Sequence, residues 1–210
     1  MKRIVCGIII VSALLAGQAG AVIMYNDGLV HEISTVVYQD IAVYDSPSGQ
    51  PTVVRLVAGA STDDITVFQN SIFEMTGGEI EDGTLILWGH SQGEISGGRI
   101  SDDAMRFFGS SRLTITGGDI GPGFRTYEDA EVFIYGSNFQ IDGVPVGYGR
   151  ILVPMGNLTG DLLAGQIQCS FDTFDRSSVT LVPEPATILL LGLGGLPLLR
   201  RRRRSAPLSF

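Results

Sequence analysis

Apolar and polar residues alternate along the middle of the chain, and the alternating segments recur at an interval of twenty residues. Each copy holds a short apolar alternation, a polar turn, and a second alternation that ends in Gly-Gly and an isoleucine. The clearest copies are residues 65–84, 85–104 and 105–123. Alternation with a period of two indicates β-strands, and a fixed period near twenty indicates stacked supersecondary units. We therefore predict an all-β fold: a small, single-domain, right-handed parallel β-helix of about five coils.

Two further copies are less regular than these three. The upstream copy starts at Ile41, is interrupted by an insertion at 46–50, and resumes at Val54. The downstream copy starts at Val132, after an insertion at 124–129. In stacked coils equivalent residues lie about 4.8 Å apart, so like side chains form columns. The predicted inward columns are Ile65/Leu85/Met105, Val67/Leu87/Phe107, Met75/Ile95/Ile115/Ile141 and Ile80/Ile100/Ile120.

One further column of the repeat is aromatic throughout. We expect this aromatic column to pack a corner of the core. The alternative is a column that faces outward, which would favour binding of sugar rings. Its predicted members are Tyr44, Phe68, Trp88, Phe108 and Tyr135.

The N-terminal segment has the features of a secretory signal peptide. Lys2 and Arg3 precede a short apolar stretch, and Ala19 and Ala21 place small side chains at the −3 and −1 positions of a cleavage site. A positive start, a short apolar core and small residues before the cut are typical of substrates of signal peptidase. We therefore predict export of the chain and cleavage after Ala21.

The C-terminal segment combines three features in a fixed order: Pro183-Glu184-Pro185, an apolar run over 186–199, and five consecutive arginines. This order, over about residues 181–204, resembles the PEP-CTERM sorting signal of bacterial proteins. The resemblance implies recognition of Pro183, Glu184 and Pro185 by an exosortase, and removal of the tail. It also implies that the apolar run spans the membrane before cleavage. The arginines that would then stay on the cytoplasmic side are Arg200, Arg201, Arg202, Arg203 and Arg204.

The body between these signals resembles PEP-CTERM proteins that carry Gly-Gly-Ile repeats and end in a Leu-Thr-Gly segment, here Leu158-Thr159-Gly160-Asp161-Leu162 with Gly165. Leu29 to Ile33 would cap the first coil, and residues 151–163 would cap the last. The predicted organisation is a signal peptide (1–21), an N-terminal cap strand (22–40), β-helix repeats (41–146), a C-terminal cap and linker (147–181), the sorting segment (182–204) and a tail (205–210).

The charge of the exported body excludes one class of binding partner. Residues 22–182 hold seven arginines against 21 acidic residues and no lysine, a formal net charge of −14. A surface of this sign repels nucleic acid, so we exclude a nucleic-acid partner. Cys6 leaves with the signal peptide, and the remaining Cys169 is expected to be a small buried apolar side chain.

Candidate catalytic and metal-binding residues are few. His31 and His90 are the only histidines, and we expect each to be a non-catalytic strand or turn residue. Acidic pairs near the coil ends are expected to be solvated turns. The alternative is a carboxylate ladder for Ca²⁺, a cation that prefers several oxygen ligands. We otherwise expect no cofactor; the candidate ligands are Asp63, Asp64, Glu81, Asp82, Asp102 and Asp103.

These patterns lead to one functional hypothesis and one alternative. We expect an exported protein that passes through a membrane-anchored intermediate at the inner membrane and reaches the cell surface or the extracellular matrix. There it would have a structural or adhesive role without catalytic activity. The alternative is a β-helix protein that binds or processes extracellular polysaccharide, as a lyase or hydrolase would.

Overall fold

A computed structural model describes residues 22–81, 83–101, 105–121 and 123–184. Within these ranges the chain forms strands and no helix, which confirms the all-β prediction. The strands are β1 (Val22–Tyr25), β2 (Val30–Ile33), β3 (Val36–Val37), β4 (Asp40–Val43), β5 (Val53–Leu56), β6 (Ser61–Thr62), β7 (Ile65–Val67), β8 (Ile72–Ile80), β9 (Leu85–Leu87), β10 (Gln92–Ile100), β11 (Met105–Phe107), β12 (Arg112–Ile120), β13 (Gly123–Thr126), β14 (Glu131–Ile141), β15 (Val144–Pro145), β16 (Gly149–Arg150), β17 (Met155–Leu162), β18 (Gly165–Thr173) and β19 (Ser178–Pro183).

The strands stack into a parallel β-solenoid of about five turns with a repeat of about twenty residues, as predicted. In the regular part a short strand and a long strand make one turn, and each pairs in parallel with its equivalent in the next turn. Ile65 thus pairs with Leu85, and Ile95 pairs with Ile115. At the N-terminal end, β1, β2 and β3 lie in parallel on β4, β5 and β6.

The upstream insertion is confirmed by the register. Ile41 pairs with Ile65, an interval of 24 residues, whereas Leu56 pairs with Met75, an interval of 19. The five extra residues fall between β4 and β5, where 46–50 bulge from the corner of the turn. The rest of this turn stacks like the regular copies.

The inward columns are buried as predicted, except at one position. The column of Met75, Ile95 and Ile115 continues into Ile134, which pairs with Ile115 in β12 and β14. Ile141 was predicted there, and that prediction is wrong: it is only half-buried and pairs with Leu158 in the antiparallel strand β17.

The cause is a change of interval from 20 to 19 residues in the downstream turn. The residues expected to be an insertion form β13 and its turn, and Phe124 pairs directly with Met105 of β11. The prediction of an insertion at 124–129 is therefore wrong as well. The downstream copy starts at Phe124 rather than at Val132.

Each Gly-Gly pair bends a long strand around a corner of the solenoid. Gly98 has φ +89°, a conformation that side chains other than glycine's rarely adopt. A Cβ on Gly97 would lie 2.7 Å from the carbonyl oxygen of Thr76 in the preceding turn. One glycine therefore supplies the bend, and the other permits close approach of the two turns.

The two ends of the stack differ. At the C-terminal end, β18 and β19 pair in parallel with β13 and β14, and antiparallel strands β17 and β16 cover their outer sides. At the N-terminal end, β1 to β3 have partners on one side only among the described residues, and several apolar side chains there are exposed. β19 extends to Pro183, so the boundary expected at 181/182 falls inside a strand.

Several predictions lie outside the described residues. They include the signal peptide with Ala19 and Ala21, the apolar run after Pro185, and Arg200 to Arg204. In the part of the chain that the structure describes, no helix is long and apolar enough to cross a membrane.

Candidate functional site

The acidic turns that were considered for Ca²⁺ are only partly described. Asp63, Asp64 and Glu81 lie in the described ranges, whereas Asp82, Asp102 and Asp103 lie outside them. Across the ranges that the structure covers, no group of three or more His, Cys, Asp or Glu side chains is placed to hold a metal ion.

Asp64 has a structural contact between turns. Its Oδ1 accepts a hydrogen bond of 2.6 Å from the backbone N–H of Thr84, twenty residues later. The backbone N–H of Ile41 in turn donates to the carbonyl oxygen of Asp64. The pairing of Ile80 with Ile100 places Ser101, which is not acidic, beside Glu81. At the position equivalent to Glu81, the next turn therefore carries a hydroxyl group and not a carboxylate.

Arginine side chains form ion pairs with acidic side chains of a neighbouring turn. Arg55 and Glu74 are direct register partners on β5 and β8, with 2.6 Å between Nη2 and Oε2. Such pairs are partly exposed, so each contributes less than about 1 kcal/mol of stability. The other pairs join Glu79 to Arg99, Arg112 to Glu131, Arg125 to Asp172 and Asp129 to Arg176.

The aromatic column runs along one corner, where each short strand ends in a tight turn. Its rings are nearly parallel, with centroids 4.1 to 4.9 Å apart in the stacked pairs. The stacked pairs are Tyr44 on Phe68, Trp88 on Phe108, Phe108 on Tyr127, and Tyr127 on Phe174.

This column lies outside the buried core, so the prediction that it packs into the core is wrong. Trp88 is 41% exposed and Phe174 is 43% exposed, and the other members are half-buried. Tyr135 was predicted as a member, but Tyr127 takes that position because of the 19-residue interval. Tyr135 instead pairs with Val182 of β19. Sequence reasoning missed both Tyr127 and Phe174.

The turns behind the aromatic column share one conformation, except for the turn after Tyr44. In each of the other turns the residue after the aromatic has positive φ, and the residue two positions further on is small and buried. Ser91 and Ser111 are buried in this way, and their hydroxyl oxygens have no hydrogen-bond partner within the described residues. The residues with positive φ are Gln69, Gly89, Gly109, Glu128 and Asp175.

A shallow polar groove lies beside the aromatic column. Its volume is about 390 Å³, and its lining carries both signs of charge. His90, an exposed turn residue as predicted, stands at its edge two residues after Trp88. The lining residues are His90, Gln92, Ser110, Arg112, Asp129 and Glu131.

A small polar cluster lies at the N-terminal end of the core, formed by β1, β2 and the turn between them. His31 aligns with the buried Val54 of the next turn, and its ring packs at a tilt against the ring of Tyr25. His31 Nε2 donates to Asp27 Oδ1 at 2.8 Å, and the backbone N–H of Leu29 donates to the same oxygen at 2.9 Å.

The contacts in this cluster shift the pKa values of Tyr25 and Asp27. Burial, and to a lesser extent the charge of Asp27, raises the pKa of the Tyr25 hydroxyl. Partial burial opposes ionisation of Asp27, but its hydrogen bonds with His31 and Leu29 outweigh burial and hold its pKa below the ordinary value. The cluster therefore favours an ionised Asp27 at the end of the core.

Cys169 is buried in β18, as predicted for a small apolar side chain. Burial raises the pKa of its thiol to about 12. A thiol that stays protonated at neutral pH is a poor nucleophile. The chemistry of Cys169 is therefore that of a core residue.

The described part of the sorting segment is Leu181 to Glu184. Leu181 is buried beside Ile134, and Pro183 ends β19 opposite Gly136 of β14. Glu184 follows directly and is half-buried. Pro185 lies outside the described residues.

No curated protein and no solved structure shows significant similarity to this chain. Residues 181–204 match the family model of the PEP-CTERM protein-sorting motif, as their resemblance to that signal predicted. This motif indicates processing by an exosortase, with export and sorting to the cell surface or the extracellular space.

Proposed function

We propose that the exported body is a structural or adhesive component of the cell surface or its polysaccharide matrix, and that it has no catalytic activity. The observation that carries this proposal is the pairing of charged side chains between turns. Arg55, Arg99 and Arg112 each form an ion pair with a carboxylate of an adjacent turn. A lyase of this shape would need a cation or base directed at substrate instead.

The polar groove also fits a structural role better than a hydrolase active site. Glycoside hydrolysis uses two carboxyl groups about 5–9.5 Å apart across a bound sugar. In the polar groove, Glu131 is paired with Arg112 at 2.6 Å and Asp129 with Arg176 at 2.9 Å. Both carboxylates of the groove therefore contact arginine side chains, whereas the two carboxyl groups of a hydrolase face the bound sugar.

Two measurements test this role. Intact mass and fractionation in hosts with and without an active exosortase are expected to show loss of the tail only where the enzyme is present. The processed body is then incubated with purified matrix polysaccharide, and reducing ends are counted over time. We expect no increase over a heat-denatured control. A time-dependent increase would establish polysaccharide cleavage and contradict the structural role.

Polysaccharide binding is a second candidate, favoured by the outward position of the aromatic column. Trp88 is exposed and lies two residues before His90, which lines the polar groove, so a sugar chain bound along this corner would contact both an aromatic side chain and hydrogen-bonding groups. The stacked rings cover each other's faces, however, which leaves mainly ring edges for a ligand. This geometry favours weak, repeated contacts along a polymer over tight binding of one sugar.

The single tryptophan reports on such binding directly. Titration of the processed body with matrix polysaccharide is expected to change the fluorescence of Trp88, and a Trp88→Ala variant is expected to lose retention in affinity electrophoresis. Tyr38→Ala removes an aromatic side chain that is 82% exposed outside the column, and serves as the control. Equal retention of both variants would exclude the aromatic column as a binding surface.

A further inference from the structure

The last strand of the fold is held from both sides. β19 pairs with β14 at six consecutive positions, from Ser178 opposite Glu131 to Pro183 opposite Gly136. On its other side, Thr180 and Leu181 pair with Arg150 and Gly149 of β16. Backbone groups of β19 are therefore already engaged in hydrogen bonds with the body.

Two side chains of β19 also complete the hydrophobic core. Val179 is 0% exposed and lies beside Val132, and Leu181 is 2% exposed and lies beside Ile134. These residues extend the inward columns of the regular turns by one more layer. Removing β19 would uncover the core of the preceding turn, so this strand belongs to the folded body.

The sorting motif starts inside this strand. The match to the PEP-CTERM model begins at Leu181, so its first three residues are strand residues of the body. Only residues 184 and 185 separate β19 from the apolar run over 186–199. Two residues span at most about 7 Å even when fully extended. The folded body therefore has no linker that would carry the motif away from it.

An enzyme that reads an extended peptide forms hydrogen bonds with the backbone of its substrate. The backbone groups at Leu181 to Pro183 are instead used by β14 and β16. Local opening of a terminal strand is a common low-energy motion of folded proteins, and it would free these groups.

We propose that β19 detaches from β14 before the exosortase processes the chain, so that opening of the last strand sets the rate of processing. This proposal rests on the exosortase-dependent sorting that the motif indicates. The stability of the last turn then determines how fast the protein is processed. A chain with a loosely paired C-terminal turn is processed sooner than one with a firmly paired turn.

A disulfide across β14 and β19 tests the proposal. Phe133 and Thr180 are register partners. Neighbouring strands are about 4.8 Å apart, which lies within the Cα separation that disulfides bridge. Neither residue belongs to the matched motif. The full-length Phe133→Cys/Thr180→Cys chain is expressed in a host with an active exosortase, and the bond is confirmed by its shift on non-reducing gels.

Pulse-chase labelling then compares the locked chain with the Thr180→Cys single variant. We expect conversion of precursor to processed protein to slow by about tenfold or more in the locked chain, because global opening would replace local opening. Reductant in the medium is expected to return the processing rate of the locked chain to that of the single variant. Cys169 is buried and does not compete for the bond.

A loosened strand provides the opposite test. Val179→Ala removes buried methyl groups that hold β19, and processing is expected to be several-fold faster. Val67→Ala is the matched control, because Val67 is equally buried but lies on β7, far along the stack from β19. We expect the control to be processed at the unsubstituted rate.

The outcomes distinguish failure of the strand-opening proposal from failure of the sorting role. Equal rates for the oxidised double variant and the single variant would mean that the enzyme reads the motif with β19 in place, and would overturn the proposal. No processing of the unsubstituted chain, with the exosortase active on another substrate, would overturn the sorting role and the proposal with it.

Discussion

The ring of Tyr25 packs against the ring of His31 in a tilted arrangement, with centroids 4.2 Å apart and ring planes 33° from parallel. Both side chains point inward from the first layer, above the buried core of the next turn. The pair therefore closes the N-terminal end of the core with rings whose polar atoms can still reach solvent. Asp27 accepts a hydrogen bond from His31 and fixes the orientation of its ring.

The first prediction concerns the pH dependence of this N-terminal closure. The pKa of Asp27 is lower in the folded chain than its ordinary value of 3.8. A lowered pKa adds stability at pH values above the unfolded-state pKa, and this stability is lost as the pH falls through the folded-state value. We expect protection of β1 and β2 amides from hydrogen exchange to decrease below about pH 4.

Asp27→Asn is the control for this effect. It keeps the shape of the side chain and removes its charge, so the decrease in protection near that pH should disappear from β1 and β2. The stability involved is less than about 1 kcal/mol because the pair is partly exposed. An identical pH profile in the two proteins would show that Asp27 does not contribute to the closure.

The second prediction tests the register of the downstream turn. Ile134 is fully buried in the column of Ile115, whereas Ile141 is half-buried at the end of β14. Ile134→Ala is expected to reduce the free energy of unfolding by about 2–5 kcal/mol, and Ile141→Ala by less than half as much. Chemical denaturation of residues 22–184 measures both. A larger loss for Ile141→Ala would instead support the register expected from the sequence, in which Ile141 occupies the buried column.

The same turn shows why sequence reasoning succeeded in one part of the repeat and failed in the next. Residues 65–120 could be predicted because Gly-Gly and Ile recur at equal intervals and mark the corners. In the downstream turn, Glu128 occupies with φ +58° the position that Gly89 and Gly109 hold. Because glycine is absent at this position, the sequence pattern does not identify the turn. Tyr135-Gly136, eight residues later, fits the expected aromatic-glycine pattern instead.

The candidate sites were predictable only in outline. Acidic residues and aromatic residues could be assigned to turns, but their exposure depends on which side of the corner they occupy. The N-terminal cluster was missed because His31 fits an ordinary alternating strand, and its contact with Tyr25 requires the turn between β1 and β2. The extent of β19 was missed because Leu181 to Pro183 serve both the core and the sorting motif.

The third prediction concerns the tight turns of the aromatic corner. Gly109 has φ +72°, and a Cβ there would lie 2.8 Å from the carbonyl oxygen of Gly89. Gly109→Ala is expected to cost roughly 1–2 kcal/mol for the backbone conformation, and more for the contact. Gly143 has φ +78° but no atom within 4 Å of its Cβ position.

Gly143→Ala therefore measures the cost of the conformation without the contact. We expect both variants to be less stable than the parent, and Gly109→Ala to show the larger decrease in denaturation midpoint. If the two variants lose equal stability, the close approach of adjacent turns at this corner contributes nothing.

The fourth prediction uses Cys169, the only cysteine of residues 22–184. Its thiol is buried in β18, and its pKa is raised to about 12 by burial. Folded protein is expected to react with a thiol reagent only through opening of the C-terminal turn, whereas unfolded protein reacts at once. Stoichiometric labelling of the folded body at the unfolded rate would contradict the burial of Cys169. Val179→Ala, which loosens the neighbouring strand β19, is expected to label faster than the parent, whereas Val67→Ala is not.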